Sequence, residues 1–377
     1  MMTNLSLYVH TPFCRKRCAY CSFVSYAGRE SDIPSYAEAL ETEITLRRVP
    51  DAEINTVYFG GGTPSLLPAK NLGDILETVK ENYPVSDGAE VTLEANPGTI
   101  NPDYLEAVRS IGINRLSLGV QSLDDAELNL LGRIHSSNEA LEAIRQAKTA
   151  GFENLSIDFI YGIPGRTPEK WETMLRRIVK LGAQHISLYG LTLEENTAMY
   201  AQVERGEIAA PDPDAAAAEY EQAEEILSGA GYAQYEISNW SLPGYESRHN
   251  LVYWKRTPYL GLGIAAHSFL GNRRAANTND LDEYLTCLKD GKLPPQSVEV
   301  VGEADALAEA LFLGLRLNKG VDAGDIHSEF GIDLYNHFAG EIAELVSLGL
   351  LEREGSKIKL TPRGRLLGNE VFIRFLP

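Results

Sequence analysis

Between residue 5 and about residue 191, short β-rich runs alternate with amphipathic helical stretches about six times, and this rhythm limits the fold more than any other feature. The runs cover residues 5–10, 54–59, 90–94, 115–120, 155–160 and 185–189. Between them, residues 36–47, 69–82, 103–111, 138–150 and 169–181 carry helical periodicity or strong helix formers. Repeated βα units imply a parallel sheet with right-handed crossovers, closed or nearly closed, whose functional groups gather at the C-terminal ends of the strands. The least ordinary residues do follow the runs. They are a cysteine cluster after the first, Gly60-Gly61-Gly62-Thr63-Pro64 after the second and Glu94-Ala95-Asn96-Pro97-Gly98 after the third. Val120-Gln121-Ser122 and Tyr161-Gly162-Ile163-Pro164-Gly165 follow the fourth and fifth, and Asp158 lies within the fifth. One rim of the sheet is therefore the expected active face.

The cysteine cluster reads Cys14-x3-Cys18-x2-Cys21, with Cys287 the sole other cysteine. Three thiols this close are ligands more often than structural residues, and an odd local number leaves one unpaired. Zinc usually takes four ligands, whereas an iron–sulfur cube held by three thiolates leaves one iron open for chemistry. An iron–sulfur centre is the expectation, with zinc as the alternative. Such an open iron suits a ligand with nitrogen and oxygen donors, as an amino-acid moiety has. Gly60 to Gly62 would let backbone groups approach it, although a triple glycine is equally a simple turn. Glu94 would accept from an ammonium or hydroxyls, and Gln121, Arg133 and Asp158 would add polar contacts. Taken singly, each is as readily a solvated loop residue or a cap. Arg15, Lys16 and Arg17 inside the loop would lower thiolate pKa values and offset a cluster's charge, or simply be solvated.

The net charge of −19 argues against binding along a nucleic-acid backbone, which needs a positive field. No signal-like N-terminus and no run of about 18 apolar residues stands in the sequence, so the chain reads as soluble and cytoplasmic, where exposed thiols stay reduced.

After residue 191 the rhythm fades into helices over 196–205 and 215–230, then an aromatic- and glycine-rich stretch. Three segments are expected: 1–240 as a barrel carrying the site, 241–300 as a connecting segment, and 301–377 as a separate domain. In the last, helices over 304–317, 325–330 and 334–348 precede a hairpin of 350–353 and 357–360, an order like that of a winged helix. Its acidic or mixed charge favours packing or partner contact over nucleic acid.

Taken together, Tyr8-Val9-His10-Thr11-Pro12-Phe13-Cys14-x3-Cys18-x2-Cys21 and Gly60-Gly61-Gly62-Thr63-Pro64 resemble the radical S-adenosylmethionine (SAM) proteins of the oxygen-independent coproporphyrinogen III oxidase family. The likeness continues through Glu94, Gly119-Val120-Gln121-Ser122, residues 158–165 and Gly263-x-x-Ala266-His267-Ser268. It implies an α/β fold: a partial (β/α)6 radical SAM barrel with a C-terminal helical, winged-helix-like domain. It also implies a 4Fe-4S cluster on Cys14, Cys18 and Cys21 with SAM on the open iron. Tyr8, Gly62 and Glu94 would contact that SAM, while Tyr20, Thr63, Gln121, Arg133 and Asp158 match a second SAM site of the oxidases.

Within the family the sequence resembles a haem-chaperone branch more than the oxidases. Oxidases carry a further cysteine two residues after the motif, where Phe23 stands here, and a longer extension before it than Met1 to Phe13. The chaperone branch also carries HNxxYW, present as His249-Asn250-Leu251-Val252-Tyr253-Trp254. An imidazole is a good axial ligand for haem iron and aromatics pack on porphyrin faces, so His249 is the expected haem ligand. His267 is the rival, but its setting among Gly263, Ala265 and Ala266 reads better as close backbone packing. The chaperone reading implies haem and acceptor haem proteins as partners, respiratory ones among them. It also implies peripheral membrane association through those partners, and it leaves a homodimer open. The alternative is the oxidase itself, in which reductive SAM cleavage yields a radical that abstracts hydrogen from porphyrinogen propionates and leads to their decarboxylation.

Overall fold

The computed structural model describes residues 3–377. Six strands follow the expected runs: β1 (Thr3–Thr11), β2 (Ala52–Gly61), β3 (Val85–Ala95), β4 (Arg115–Gln121), β5 (Leu155–Tyr161) and β6 (His185–Gly190). They pair in sequence order, each parallel to the next. The crossovers are α1 (Ile33–Leu46), α2 (Ala69–Asn82), α3 (Pro102–Ser110), α4 (Ser137–Thr149) and α5 (Pro168–Leu181). Local chemistry fixes their ends. A capping box of Ser136 and Glu139 opens α4, while α5 has Thr167 as cap, Pro168 in its first turn and Gly182 at φ 59° as its stop.

Strand alternation decides which way each side chain points. Leu5, Leu7 and Val9, Leu116, Leu118 and Val120, and Leu155, Ile157 and Phe159 are buried in the main core beneath the helices. The intervening residues, among them Tyr8, Thr56, Tyr58, Glu94, Arg115, Ser117, Asp158 and His185, face the barrel interior. A barrel interior is ordinarily filled by branched apolar side chains, so this polar lining marks a space built for something other than packing.

The barrel is partial, and both edges of its sheet are extended. After α6 (Pro213–Gly229), β7 (Ala233–Glu236) and β8 (Asn239–Ser241) continue beyond β6 in antiparallel fashion. Residues 241–300, expected as a connector, instead belong largely to the sheet. They form α7 (Arg248–Trp254), β9 (Tyr259–Leu262), β10 (His267–Leu270), β11 (Arg273–Asn277), α8 (Leu281–Lys289) and β12 (Gln296–Val300). The complete order is β12-β11-β10-β9-β1-β2-β3-β4-β5-β6-β8-β7. The connector reading failed because strands of four or five residues, separated by one tight turn after another, show too little alternation to register. Glu43 anchors this extension: its buried carboxylate accepts from Gly263 N (2.7 Å), Tyr284 OH (2.7 Å) and Asn277 Nδ2 (2.8 Å) and pairs with Arg47.

The C-terminal part comprises α9 (Glu303–Leu315), β13 (Val321–Asp322), α10 (Ala323–Phe330), α11 (Leu334–His337), α12 (Ala339–Ser347), β14 (Leu351–Glu354) and β15 (Lys357–Leu360). The expected single helix over 334–348 breaks at Phe338, whose φ of −111° and ψ of 34° leave the helical region. A separate apolar core including Leu311, Ile326, Leu345 and Ile358 holds this helical domain together. It docks on the barrel through Arg316, whose guanidinium lies 4.4 Å from the Trp254 ring centroid, and through an Arg365–Glu224 ion pair. No helix among the described residues is long and apolar enough to cross a membrane.

Candidate cofactor site at the barrel rim

Cys14, Cys18 and Cys21 line one cavity of about 540 Å³ together with Tyr20, Gly62, Thr63, Glu94, Gln121, Arg133 and Asp158. Residues from all six strands or the loops after them thus meet at the C-terminal rim. The cysteine loop is held from several sides. Phe13–Cys14 pairs in parallel with Tyr26–Ala27, and Ala19 N donates to Leu131 O at 3.0 Å while Ala19 O accepts from Met199 N at 2.8 Å. A polar chain then ties two of the sulfurs together. Arg133 donates to Cys18 Sγ (3.3 Å), Gly119 O (2.6 Å) and the Asn96 side-chain oxygen. Asn96 Nδ2 donates to Thr63 Oγ1 (2.9 Å), which lies 3.5 Å from Cys14 Sγ.

The glycine run is required by space. A Cβ on Gly62 would sit 2.7 Å from Phe13 O and 3.0 Å from Cys14 Sγ, and Gly61 adopts φ 114°. That conformation aims the Gly61 N–H at Glu94 Oε2 (3.2 Å), while Tyr58 OH donates to Oε1 (2.6 Å). Burial pushes the Glu94 carboxyl up to about 7, against the opposing hydrogen bond from Tyr58. Asp158 is likewise raised by burial and is held by the Ser117 and Ser156 hydroxyls, each at 3.1 Å. Gln121 follows a register shift in β4 and is held at φ 69°, an uncommon conformation for a residue with a side chain.

The donor set fits a SAM-ligated iron–sulfur cluster. Three thiols share one cavity without surrounding a single ion position among the described residues, and each corner iron of a cube takes its own thiolate. Beside them a peptide backbone open to close approach and a buried carboxylate offer partners for an amino-acid moiety. Arg133, which lines the same cavity, has its Nε buried with no hydrogen-bond partner among the described residues.

The geometry places three further sets of expected residues. Tyr8 is not on the cavity wall: its hydroxyl meets His10 Nδ1 at 3.1 Å, and its ring lies beneath Gly60, where it stacks on Tyr58. Arg15, Lys16 and Arg17 are exposed, and burial instead pushes the Cys14 and Cys21 thiols up, with Arg17 a minor opposing influence on Cys21.

The third is His249, the expected haem ligand. It lies at the opposite end of the barrel, 1% exposed, with Nδ1 2.7 Å from Thr56 Oγ1 and Nε2 2.9 Å from Tyr253 OH. Its ring stacks on Tyr58 at 5.0 Å. Helix α7 plugs this floor, and the backbone N–H groups of Arg248 and His249 donate to Glu90 at 3.2 and 3.1 Å. Both imidazole nitrogens are engaged by hydroxyl groups in this arrangement.

Sequence reasoning missed Tyr58 and Ser117, which orient Glu94 and Asp158, and gave no role to Asn96, which holds Arg133. A signal existed. In a sheet whose outward residues are apolar, every inward polar residue on a strand is a candidate.

A six-strand parallel barrel with a three-cysteine loop after its first strand defines a radical SAM protein, and residues 8–178 match the Radical SAM superfamily. Residues 302–367 match the HemN C-terminal domain. The chain is 34% identical to the haem chaperone HemW of Bacillus subtilis, over 98% of this chain and 99% of that one. It is 38% identical to HemW of Mycobacterium tuberculosis, over 97% and 93%. It is also 36% identical to a mouse mitochondrial radical SAM domain-containing protein, over 100% and 88%. The chain belongs to the HemW family. Its fold matches the coproporphyrinogen III oxidase HemN of Escherichia coli with a TM-score of 0.87 at 25% identity, over 99% of this chain and 90% of that one.

Proposed function

We propose that the protein binds haem and delivers it to acceptor haem proteins, and that the rim cavity holds a 4Fe-4S cluster on Cys14, Cys18 and Cys21 with SAM on the open iron. The observation that carries this reading is end-to-end similarity to haem chaperones. It is joined by a rim on which the exposed Phe23 stands where the oxidases have a further cysteine. Bound SAM on a reduced cluster supplies one-electron chemistry. The chain's own residues position it: Glu94 takes the ammonium, the Gly61–Gly62 backbone lies alongside the amino-acid moiety, and Arg133 balances the thiolates' charge. An ammonium against Glu94 would keep its carboxylate ionised despite burial.

The second reading, coproporphyrinogen III decarboxylation, is favoured by the structural match to HemN over nearly the whole chain. One experiment separates the two. Reconstituted protein is incubated anaerobically with reductant, SAM and coproporphyrinogen III, and in parallel haem-loaded protein is mixed with an apo-haem protein. Haem transfer without protoporphyrinogen IX is expected; multiple-turnover decarboxylation would overturn the chaperone reading.

A further inference from the structure

Three consecutive cations occur at one place in the chain, Arg15-Lys16-Arg17, and the chain as a whole carries a net charge of −19. With Cys14 and Cys18 both turned to the rim cavity, the three residues between them loop outward, and all three are exposed. Among the described residues none of them meets a carboxylate. Arg15 donates to Gly98 O at 2.9 Å, Arg17 donates to Cys21 O at 3.3 Å, and the Lys16 ammonium makes no hydrogen bond. Elsewhere on the surface Lys70, Lys80, Arg145, Arg176 and Arg205 are each matched by an acid. A guanidinium has five N–H donors, so one main-chain bond each leaves most of Arg15 and Arg17 unspent.

These cations are flanked by apolar side chains. Arg15 and Ile134 meet at Gly98, where a Cβ would lie 3.9 Å from Ile134 Cδ1, and Ile134 is 47% exposed. On the other side Phe23, two residues beyond the carbonyl that takes Arg17, is 65% exposed. Arginine and aromatic side chains are the ones enriched where proteins meet. Beneath this face lies Cys18. It lines the rim cavity and also a narrow crevice whose outer lining includes Arg15, Lys16 and Ile134. Balancing a cluster's charge does not account for three exposed cations. An oxidised cube on three thiolates has a single net negative charge, and Arg133, which donates to Cys18 Sγ, already stands against it.

Resting on the cluster reading above, we infer that Arg15, Lys16 and Arg17, with Phe23 and Ile134 beside them, are the docking surface for a small acidic electron-carrier protein. Charge complementarity selects the occupant. A chain this acidic repels an acidic partner over most of its surface, so a local cationic face both attracts that partner and fixes its orientation. Position selects what is carried. Electron transfer between proteins falls off steeply with distance, and the crevice that opens on this face ends on a cluster ligand. In the step, one electron leaves the carrier's low-potential centre, which is oxidised, and enters the cluster, which is reduced; no bond and no proton moves. Encounters of this kind bury less than about 1,200 Å² and are short-lived, which a patch of a few side chains can supply.

The test uses an acidic plant-type 2Fe-2S ferredoxin as the carrier and the full-length reconstituted chain, under anaerobic conditions. Isothermal titration follows binding of the oxidised carrier, and stopped flow follows cluster reduction by the reduced carrier. Affinity and rate are expected to fall about tenfold between about 25 and about 200 mM salt, and Lys16→Glu to lower both about tenfold at the lower salt. Lys16→Gln, which removes the charge without reversing it, is expected to fall between Lys16→Glu and the wild type. Lys180→Glu makes the same charge change in the last turn of α5, at the end of the barrel away from the rim, and is expected to alter neither quantity. Reduction by a photogenerated deazaflavin radical, small enough to need no docking surface, is expected to be equal in Lys16→Glu and the wild type. Equal ferredoxin affinity and rate in the wild type, Lys16→Glu and Lys180→Glu overturns the docking assignment and leaves the cluster reading intact. So does slowed deazaflavin reduction in Lys16→Glu, or binding of anionic lipid vesicles, lost in Lys16→Glu, where the carrier does not bind. A wild-type chain that takes up no cluster overturns both.

Discussion

The rim and the floor of this barrel are built on the same strands, four or five residues apart, and they use inward polar side chains in opposite ways. At the rim, Glu94, Arg133 and Asp158 surround open space, and Arg133 Nε has no partner. At the floor, Thr56, Glu90 and His185 spend their hydrogen bonds on other parts of the protein: His249, the start of α7, Ser156 and Tyr235. The difference is the presence of a covering element. A polar residue inside a barrel points to a ligand where nothing of the chain closes over it, and to structure where a helix does.

The largest expected effect breaks the rim alone. Cys14→Ala, Cys18→Ala or Cys21→Ala each abolishes the absorbance of a reconstituted cluster, whereas Cys287→Ala does not, since Cys287 lies on α8 outside the rim cavity. Apo stability of the three rim variants changes little, so circular dichroism melts should nearly superimpose. A rim variant that fails to fold without metal would make the rim as structural as the floor.

The floor responds in the reverse manner. His249→Ala leaves the cluster absorbance intact, strands the buried Thr56 hydroxyl and opens a void beneath Tyr58, at a cost of about 3 kcal/mol in urea unfolding. Burial, reinforced by Arg115, pushes the His249 imidazole down to about 3 from 6.5. A base held neutral in the fold contributes stability that is complete above 6.5 and is lost as pH falls towards 3. Acid unfolding should therefore steepen across that interval, and His249→Gln should flatten it. No change in slope would show that the floor opens before it titrates.

Much of this contrast was legible in the sequence, and its limits have physical causes. The βα rhythm located all six barrel strands because each has five or more residues of β-branched or alternating character. The rim residues were legible because loops that bind ligands break the ordinary composition: three cysteines, three glycines, a proline beside an asparagine. The surroundings of His249 could not be read from the sequence, because a histidine among aromatics looks the same whether it lies open to a ligand or packed under Tyr58. Only the burial of α7 distinguishes the two. The cavity shared by Tyr253, Tyr259, His267, Arg274 and Phe312 could not be read as one surface, since these residues come from five elements whose adjacency is set by the order of short antiparallel strands.

A smaller effect separates binding from stability at the rim itself. Glu94 ionises near 4.5 in the unfolded chain and near 7 in the fold, so the folded state holds the extra proton between those values and stability falls as pH rises through them. Removing the buried charge with Glu94→Gln should raise apo stability at pH 8 by about 1–2 kcal/mol, with little gain at pH 4. The same variant should lose SAM binding in isothermal titration, because its amide no longer complements an ammonium. A gain in stability with SAM affinity retained would remove Glu94 from the ligand's side of the cavity.

The smallest effect falls on Phe23, at the mouth of the rim cavity, and it asks whether the rim is as open as the comparison assumes. The ring is 65% exposed, so Phe23→Ala removes little area from the core. Its consequence for unfolding should stay within about 0.5 kcal/mol, as for other surface changes. Cluster absorbance should also be unchanged, because no cysteine contact depends on the ring. A loss of about 2 kcal/mol would mean instead that the ring is covered in solution by a second copy of the chain or by closure of the loop that carries it. Dilution distinguishes the two, since a loss caused by self-association grows weaker as the protein is diluted and a loss from loop closure does not. In either case the rim would then share with the floor the one property that now divides them, a part of the protein lying over its polar side chains.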